Sequence, residues 1–349
     1  MKNSLIQFNR IFFTYLIAFY HLNNVYGHYT SWYIAVEFFF IVSGALIARK
    51  YYYLKEKNDL DGFAWKDLKK TYLKYFPHAL FAFAVALLGK GYYLGYGIYD
   101  YLNGIISHLP EIFLFHSIGL NWPAGFAYNS VSWYLSTLII DGFVIRTLLK
   151  KYDRSYIKII CPLSIILIYP YLCLTYGYIG EHWDCRYIIL NSALLRGFAD
   201  LNLGVIAYEV AKKLSHYDDR ILLSVSAVSL ILGGVVIPFF FYQTVYDFIL
   251  VFIISIGVTS AFACLSSNKL FEHPLIEKWA LITPSVYLNH KVFSDLFCLI
   301  WPRYTVLTGL IWFVFITLYS ILTYYGVTMI ITWLGDHLHK FFRQEYPNE

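Results

Sequence analysis

Long apolar stretches separated by short polar links dominate the sequence. A helix needs about 20 mostly apolar residues to cross the ~30 Å hydrocarbon core of a bilayer. Runs of this kind predict ten membrane-spanning helices, near residues 5–24, 31–48, 76–96, 131–148, 158–178, 188–210, 221–242, 245–265, 283–300 and 306–334. The pattern is therefore typical of an all-α polytopic membrane protein.

The stretch 100–122 breaks this pattern. It is apolar only in patches and contains His108, Pro110, Glu111 and His116. Ionisable groups and a proline are poorly suited to a lipid-facing helix. We therefore predict an interfacial or re-entrant segment that does not cross the membrane.

Basic residues in the links predict the orientation of the helices. The link 49–74 carries eight Lys or Arg residues and 146–158 carries five, whereas 97–130 has none. Because cytoplasmic loops are enriched in Lys and Arg, the first two are predicted to be cytoplasmic and the third to lie outside. Both basic links are cytoplasmic only if the chain crosses an even number of times between them. Two crossings with a non-spanning 100–122 meet that condition, which leaves both termini, including a short tail at 335–349, in the cytoplasm.

The composition supports a membrane domain. Hydrophobic residues make up 59% of the chain and charged residues 14%, against about 25% charged in a soluble domain. No polar linker divides the chain, so we predict a single transmembrane domain over 1–349. The five cysteines share no metal-ligand spacing, and no metal site, disulfide framework or nucleic-acid module is expected. The first apolar run contains Arg10 and lacks a small-residue cleavage site, which favours a retained helix over a signal peptide.

Ionisable side chains inside predicted spans are candidate functional groups, because each costs a few kcal/mol even on lenient scales. Arg10 and His21 are eleven residues apart, which places them within about 20° of one helix face and ~16 Å apart along the axis. Glu37 is predicted at a depth similar to that of His21, where a carboxylate would orient an imidazole for use as a general base. The alternatives are a snorkelling Arg10, an interfacial His21, and a Glu37–His21 pair that only joins a helical hairpin.

Other predicted spans carry polar or aromatic candidates as well. The fourth contains Trp133 near its outer end and Asp141 near mid-membrane, and the sixth contains Arg196. The ninth has Tyr287 and His290 one turn apart. Each alone is commonly an aromatic-belt residue or a contact between helices. Their spread over several helices suggests an enclosed polar cavity.

Three further patterns have plain structural explanations. Ser43 and Gly44 are small residues that allow helices to approach closely. The glycines of GKGYYLGYG (89–97) fit neither phosphate-binding template in spacing. The basic links are explained by topology, with a ligand-binding role as the alternative.

Several motifs occur in order along about the first 290 residues. They are Arg-x10-His (Arg10 to His21), an acidic residue with aromatics and Ser-Gly (Glu37 to Gly44), the basic cluster LKKTYLKYFP (with Lys70 and Lys74), Trp-x-Leu-Ser (Trp133 to Ser136), the segment LLRGFADLNLG (with Arg196), and Ser-x-Tyr-Leu-x-His (Ser285 to His290). In this combination the chain resembles the acyltransferase-3 family of bacterial membrane acyltransferases, which O-acylate cell-surface and exported glycans. It departs from the family in having lysines where arginines are common, and Leu138 where many members have glutamate. Asp141, one turn further on, is the candidate to supply a carboxylate on the same helix face in place of that glutamate.

The resemblance implies an O-acyltransferase of the plasma (inner) membrane. It would move an acyl group, with acetyl favoured, from cytoplasmic acyl-CoA to a hydroxyl of a cell-surface, exported or lipid-linked glycan. Acyl-CoA is then a donor substrate, and no bound cofactor is expected. His21 is the candidate base oriented by Glu37, Arg10 positions the donor, and Lys70 and Lys74 attract the CoA phosphates. The further candidate substrate-binding residues are Trp133, Ser136, Arg196, Tyr287 and His290.

Two alternatives remain from other classes of protein. A transporter or flippase of a glycan or small solute would use the same polar residues as a path, although no internal repeat of the kind found in many transporters is evident. A membrane glycan polymerase or ligase would require a lipid-linked sugar donor. Labelling of a glycan that depends on acyl-CoA separates both from the acyltransferase.

Overall fold

The computed structural model describes residues 4–119, 127–182, 184, 191–264 and 271–345, with side chains up to 335. These residues form helices joined by turns, and none of them lies in a strand. The α-helices are α1 Ser4–Val25, α2 Ala35–Glu56, α3 Phe63–Leu94, α4 Ile98–Ser107, α5 Leu109–Ile112, α6 Trp133–Ser155, α7 Cys161–Tyr176, α8 Ser192–Leu214, α9 Asp219–Ile231, α10 Ile237–Phe240, α11 Asp247–Ala263, α12 Pro274–Ile300 and α13 Val306–Glu345. The all-helical class predicted from the sequence agrees with this architecture.

Five helical stretches are long and apolar enough to cross a membrane. They are Trp32–Glu56, Phe63–Leu94, Ser130–Tyr176, Asp219–Phe240 and Val306–Gly335. The chain is therefore an all-α protein with membrane-spanning character. Each of the ten predicted runs overlaps a helix of the described chain, apart from the first residues of 188–210, which lie outside it. The ten crossings themselves stay a prediction.

The segment after α3 contains only short helices. α4 has 10 residues and α5 has 4. A helix of ten residues rises ~15 Å, about half of the hydrocarbon core. Leu114, just after α5, is buried with a positive φ of 59° and closes the turn that leads to the 3-10 helix His116–Ile118. Residues 120–122 of the predicted segment lie outside the described residues.

Helices α2 and α8 form the closest helix pair of the described chain. A Cβ at Gly44 would collide with the carbonyl oxygen of Leu201, and one at Gly204 would collide with the carbonyl oxygen of Ile41. Only glycine permits this backbone approach, as the Ser43-Gly44 pattern predicted. The crossing places the N-terminal half of α2 directly against α8.

Helix α1 packs mainly on α12 and makes a smaller contact with α2. The α1–α2 contact includes the stacked rings of Phe13 and Phe38, with centroids 4.1 Å apart. Helix α12 also contacts α3 and α13. Its inner face therefore lies between the first helix and the basic beginning of α3, where the candidate site is found.

Candidate functional site

A cavity of about 300 Å³ lies between α2, α3 and α6. Its wall includes Lys50, Lys70, Lys74 and Arg146, with Asp67 as an acidic partner. Asp67 forms ion pairs with Lys50 and, at 3.3 Å, with the Arg146 Nε. Lys70 and Lys74 are exposed and form no ion pair with a described residue. The cavity thus carries a net positive charge suited to phosphate groups.

Arg10 lies at the junction of two further cavities. One of about 200 Å³ shares Lys74 and Tyr75 with the first cavity and has Arg10 in its wall. The other, of about 40 Å³, also contains Arg10 and Tyr75 and reaches Tyr287 on α12. The three cavities form a continuous series of shared walls from Lys70 to Tyr287.

His21 and His290 face each other where α1 meets α12. Their ring centroids are 5.0 Å apart. His290 is fully buried, and its Nδ1 lies 3.2 Å from the carbonyl oxygen of Val286. The ring of Tyr287 is 5.7 Å from that of His290, so the imidazole pair lies immediately beyond the end of the cavity series. The eleven-residue spacing of Arg10 and His21 does bring both side chains to the side of α1 that faces α12.

Glu37 does not lie beside His21 as the sequence analysis expected. Its Oε1 accepts hydrogen bonds from both Nε (2.8 Å) and Nη2 of Arg196, which is also fully buried. The Gly44–Gly204 crossing explains the difference, because it turns this part of α2 toward α8. A buried carboxylate is also compensated better by a permanent guanidinium charge than by a neutral imidazole.

The surroundings of this ion pair were largely missed by the sequence reasoning. Arg196 Nη1 donates to the carbonyl oxygen of Gly180 at 2.8 Å. Asp200, one turn after Arg196, lies beside Glu37 and accepts a hydrogen bond from the Tyr169 hydroxyl at 2.6 Å. The only available signal was the i, i+4 spacing of Arg196 and Asp200 within LLRGFADLNLG.

Trp133 packs against the guanidinium of Arg196 and the ring of His182. The Arg196 guanidinium carbon is 5.0 Å from its ring, and the His182 ring stacks on it at 4.7 Å. Burial, together with the nearby Arg196 charge, lowers the pKa of His182 to about 3. His182 is therefore neutral in the ordinary pH range. Trp133 is a stacking partner within the core around Arg196.

Two other residues of α6, Ser136 and Asp141, contact neighbouring segments of the fold and do not line the cavities. Ser136 Oγ accepts a hydrogen bond from the Ser117 amide at 3.1 Å, which ties α6 to the segment before it. Asp141 is buried against α8, where its Oδ2 would lie 2.9 Å from a Cβ added at Gly197. Leu138, in contrast, lies in the wall of the 300 Å³ cavity. Asp141 is not among the residues that line this cavity, although a step of three residues turns the helix face by only about 60°.

Glu111 attaches the short-helix segment to the site. Its two carboxylate oxygens accept hydrogen bonds from the backbone amides of Tyr128 and Asn129, each at 2.8 Å. The Asn129 side chain donates to the carbonyl oxygen of Leu288 on α12 at 2.9 Å. Burial raises the pKa of Glu111 to about 7, against the opposing effect of the two amides. This carboxyl was noted in the sequence only as a reason against a membrane span.

All the predicted site residues except Ser136 thus fall into two groups. Lys70, Lys74, Arg10 and Tyr287 lie along the cavity series, with His21 and His290 just beyond it. Glu37, Arg196 and Trp133 form a separate buried cluster. No metal-binding group of His, Cys, Asp or Glu occurs among the described residues.

Comparisons of the chain with protein-family models, with curated proteins and with solved structures give no match. The function of the chain is therefore inferred from the geometry of the site and from the motifs.

Proposed function

We propose that the chain is a membrane O-acyltransferase that moves an acyl group, with acetyl favoured, from cytoplasmic acyl-CoA to a hydroxyl of a cell-surface or exported glycan. The supporting observation is the series of cavities that begins at Lys70 and Lys74, passes Arg10 and ends at Tyr287, next to the His21–His290 pair. A donor with a charged head and a long acyl-bearing arm fits a path with cations at its mouth and imidazoles at its end.

The mouth suits the phosphates of CoA. Lys50 and Arg146 add to the positive charge of Lys70 and Lys74, while Asp67 offsets part of it. Asp67 also holds Lys50 and Arg146 in place, which leaves Lys70 and Lys74 as the exposed cations without an ion-pair partner among the described residues. Arg10, further along, is positioned to hold a polar group of the donor arm.

The reaction at the far end needs a base. As the acceptor oxygen attacks the thioester carbon, its proton passes to a ring nitrogen of His21; the carbon–sulfur bond then breaks, and the departing thiolate takes that proton to give free CoA. Glu37 is engaged by Arg196 and stabilises the helix core instead of orienting the base.

The proposed topology has ten crossings of the plasma membrane, with both termini in the cytoplasm. Lys70 and Lys74 then face cytoplasmic acyl-CoA, and the segment containing α4 and α5 lies on the outer side with the acceptor. The lipid bilayer surrounds the exposed apolar side chains of helices such as α13.

The proposal is tested with purified protein in nanodiscs, radiolabelled acetyl-CoA and a panel of glycan and lipid-linked acceptors. We expect wild type to release free CoA and label an acceptor, and His21→Ala to lose on the order of 10²–10⁴-fold in rate. His216→Ala is the matched control, because His216 is exposed on the turn after α8. Full activity of His21→Ala would remove His21 as the base. No consumption of any short acyl-CoA by wild type would contradict the acyltransferase and favour a transporter.

A further inference from the structure

We propose that His290 is the positioning residue for His21, accepting a hydrogen bond from its ring N–H and thereby taking the part that a carboxylate plays in other imidazole bases. This inference rests on the proposed function. The observation behind it is a buried ring nitrogen, His290 Nε2, that has no hydrogen-bond partner among the described residues.

The hydrogen bond of His290 to the backbone determines its tautomer. A carbonyl oxygen only accepts, so the Nδ1 that lies 3.2 Å from the Val286 oxygen carries the proton. In the neutral ring the other nitrogen, Nε2, then has a free lone pair. His290 is therefore prepared as a hydrogen-bond acceptor at Nε2.

That lone pair has no partner among the described residues. The Nε2 of His290 forms no hydrogen bond with a described residue, and the whole side chain is inaccessible to solvent. Buried polar atoms are normally paired, and an exception at a functional site calls for an explanation. The neighbouring imidazole is that of His21, at a centroid distance of 5.0 Å. In the proposed arrangement the His21 ring is rotated so that one of its nitrogens lies within hydrogen-bond distance of His290 Nε2.

No carboxylate is placed to do the same work. Glu37 is held by Arg196, and the titratable groups that act on His21 are His290, Lys291 and His182, none of which is a carboxylate. His182 is neutral and stacked on Trp133, while Lys291 pairs with Asp295 across one turn of α12. The positive charge of Lys291 also acts on His290, which is hydrogen-bonded to the backbone of its own helix. Of these groups, His290 is the one whose ring faces that of His21 and whose Nε2 has no hydrogen-bond partner among the described residues.

The consequence for the reaction is a shared positive charge. When the acceptor hydroxyl gives its proton to one nitrogen of His21, the N–H on the other nitrogen points at His290 Nε2. The charge of the resulting imidazolium is then spread toward His290 until the proton leaves on the CoA sulfur. No atom is gained or lost, since the net change is ester and free CoA from alcohol and thioester.

The test compares wild type, His290→Gln and His290→Leu in the acetyl-CoA assay. Gln retains an oxygen acceptor near the position of Nε2, whereas Leu retains only bulk. We expect His290→Leu to lower kcat on the order of 10- to 100-fold with an unchanged KM for acetyl-CoA, and His290→Gln to recover most of the loss. The acidic limb of the pH–rate profile should move to lower pH in His290→Leu, because the imidazolium of His21 has lost its acceptor. Equal rates and identical pH profiles for Gln and Leu would overturn the inference.

A second measurement separates this inference from the proposed function. Nitrogen NMR of histidine-labelled protein in nanodiscs reports the tautomer of each ring without any turnover. We expect a neutral His290 protonated at Nδ1, and a shift of the His21 ring nitrogens in His290→Leu. An Nε2-protonated His290, or His21 signals that do not move, would refute the arrangement even in an active enzyme. Inactive wild type with the expected NMR signals would instead count against acyl transfer alone.

Discussion

The two helix pairs at the centre of the molecule solve the problem of buried polar groups in different ways. In α2–α8, glycines bring the backbones together and the fixed charges of Glu37 and Arg196 neutralise each other. In α1–α12, the facing groups are the imidazoles of His21 and His290, and the space along them opens into cavities. The first pair suits rigidity, and the second leaves room beside its titratable groups for a ligand.

The largest expected effect comes from breaking the α2–α8 ion pair. Arg196→Met should destabilise the protein by about 3–5 kcal/mol, because it leaves a buried carboxylate uncompensated. Denaturation in mixed micelles, followed by circular dichroism, measures the change. The double variant Glu37→Gln/Arg196→Gln should lose less, since it removes both charges. A loss below ~1 kcal/mol for Arg196→Met would show that the pair does not hold the two helices.

The α12 side should respond to pH through Glu111. Its pKa is raised to about 7 by burial, so the stabilisation it gives is present below pH 4.5 and is lost as the pH rises through about 7. The shift corresponds to about 3 kcal/mol. Hydrogen exchange at the Tyr128 and Asn129 amides, corrected for intrinsic rates, should show weakening protection over this range. In Glu111→Gln the protection should no longer depend on pH, and a pH dependence equal to that of wild type would rule out this carboxyl as the cause.

The smallest effect expected is that of a single methyl group at the α2–α8 crossing. Gly204→Ala should cost about 1–3 kcal/mol through overpacking, since the new Cβ meets the backbone of α2. Gly326→Ala is the matched control, because a Cβ at that helical glycine has open space around it. Thermal denaturation of both variants in the same detergent gives the comparison. Equal midpoints would show that the crossing tolerates a wider spacing.

The sequence carried most of the information about local structure. Apolar runs of sufficient length predicted helices that overlap those observed, because a backbone in lipid must satisfy its own hydrogen bonds. The helical period placed Arg10 and His21 on one side of α1, and the Ser43-Gly44 pattern predicted a close approach of α2 to another helix. Each of these depends on residues near one another in the chain.

Only the tertiary structure decided which partner each polar group received. Glu37 and His21 were expected to meet because their predicted depths match, yet depth along the membrane says nothing about which helices are neighbours. Because α2 packs on α8, Glu37 forms an ion pair with Arg196. Because α1 packs on α12, the His21 ring lies against that of His290. The cavity series likewise arises where α1, α3 and α12 meet, from residues far apart in the chain. Helix period and apolar length are local properties, whereas pairing between helices depends on shape complementarity across the whole bundle.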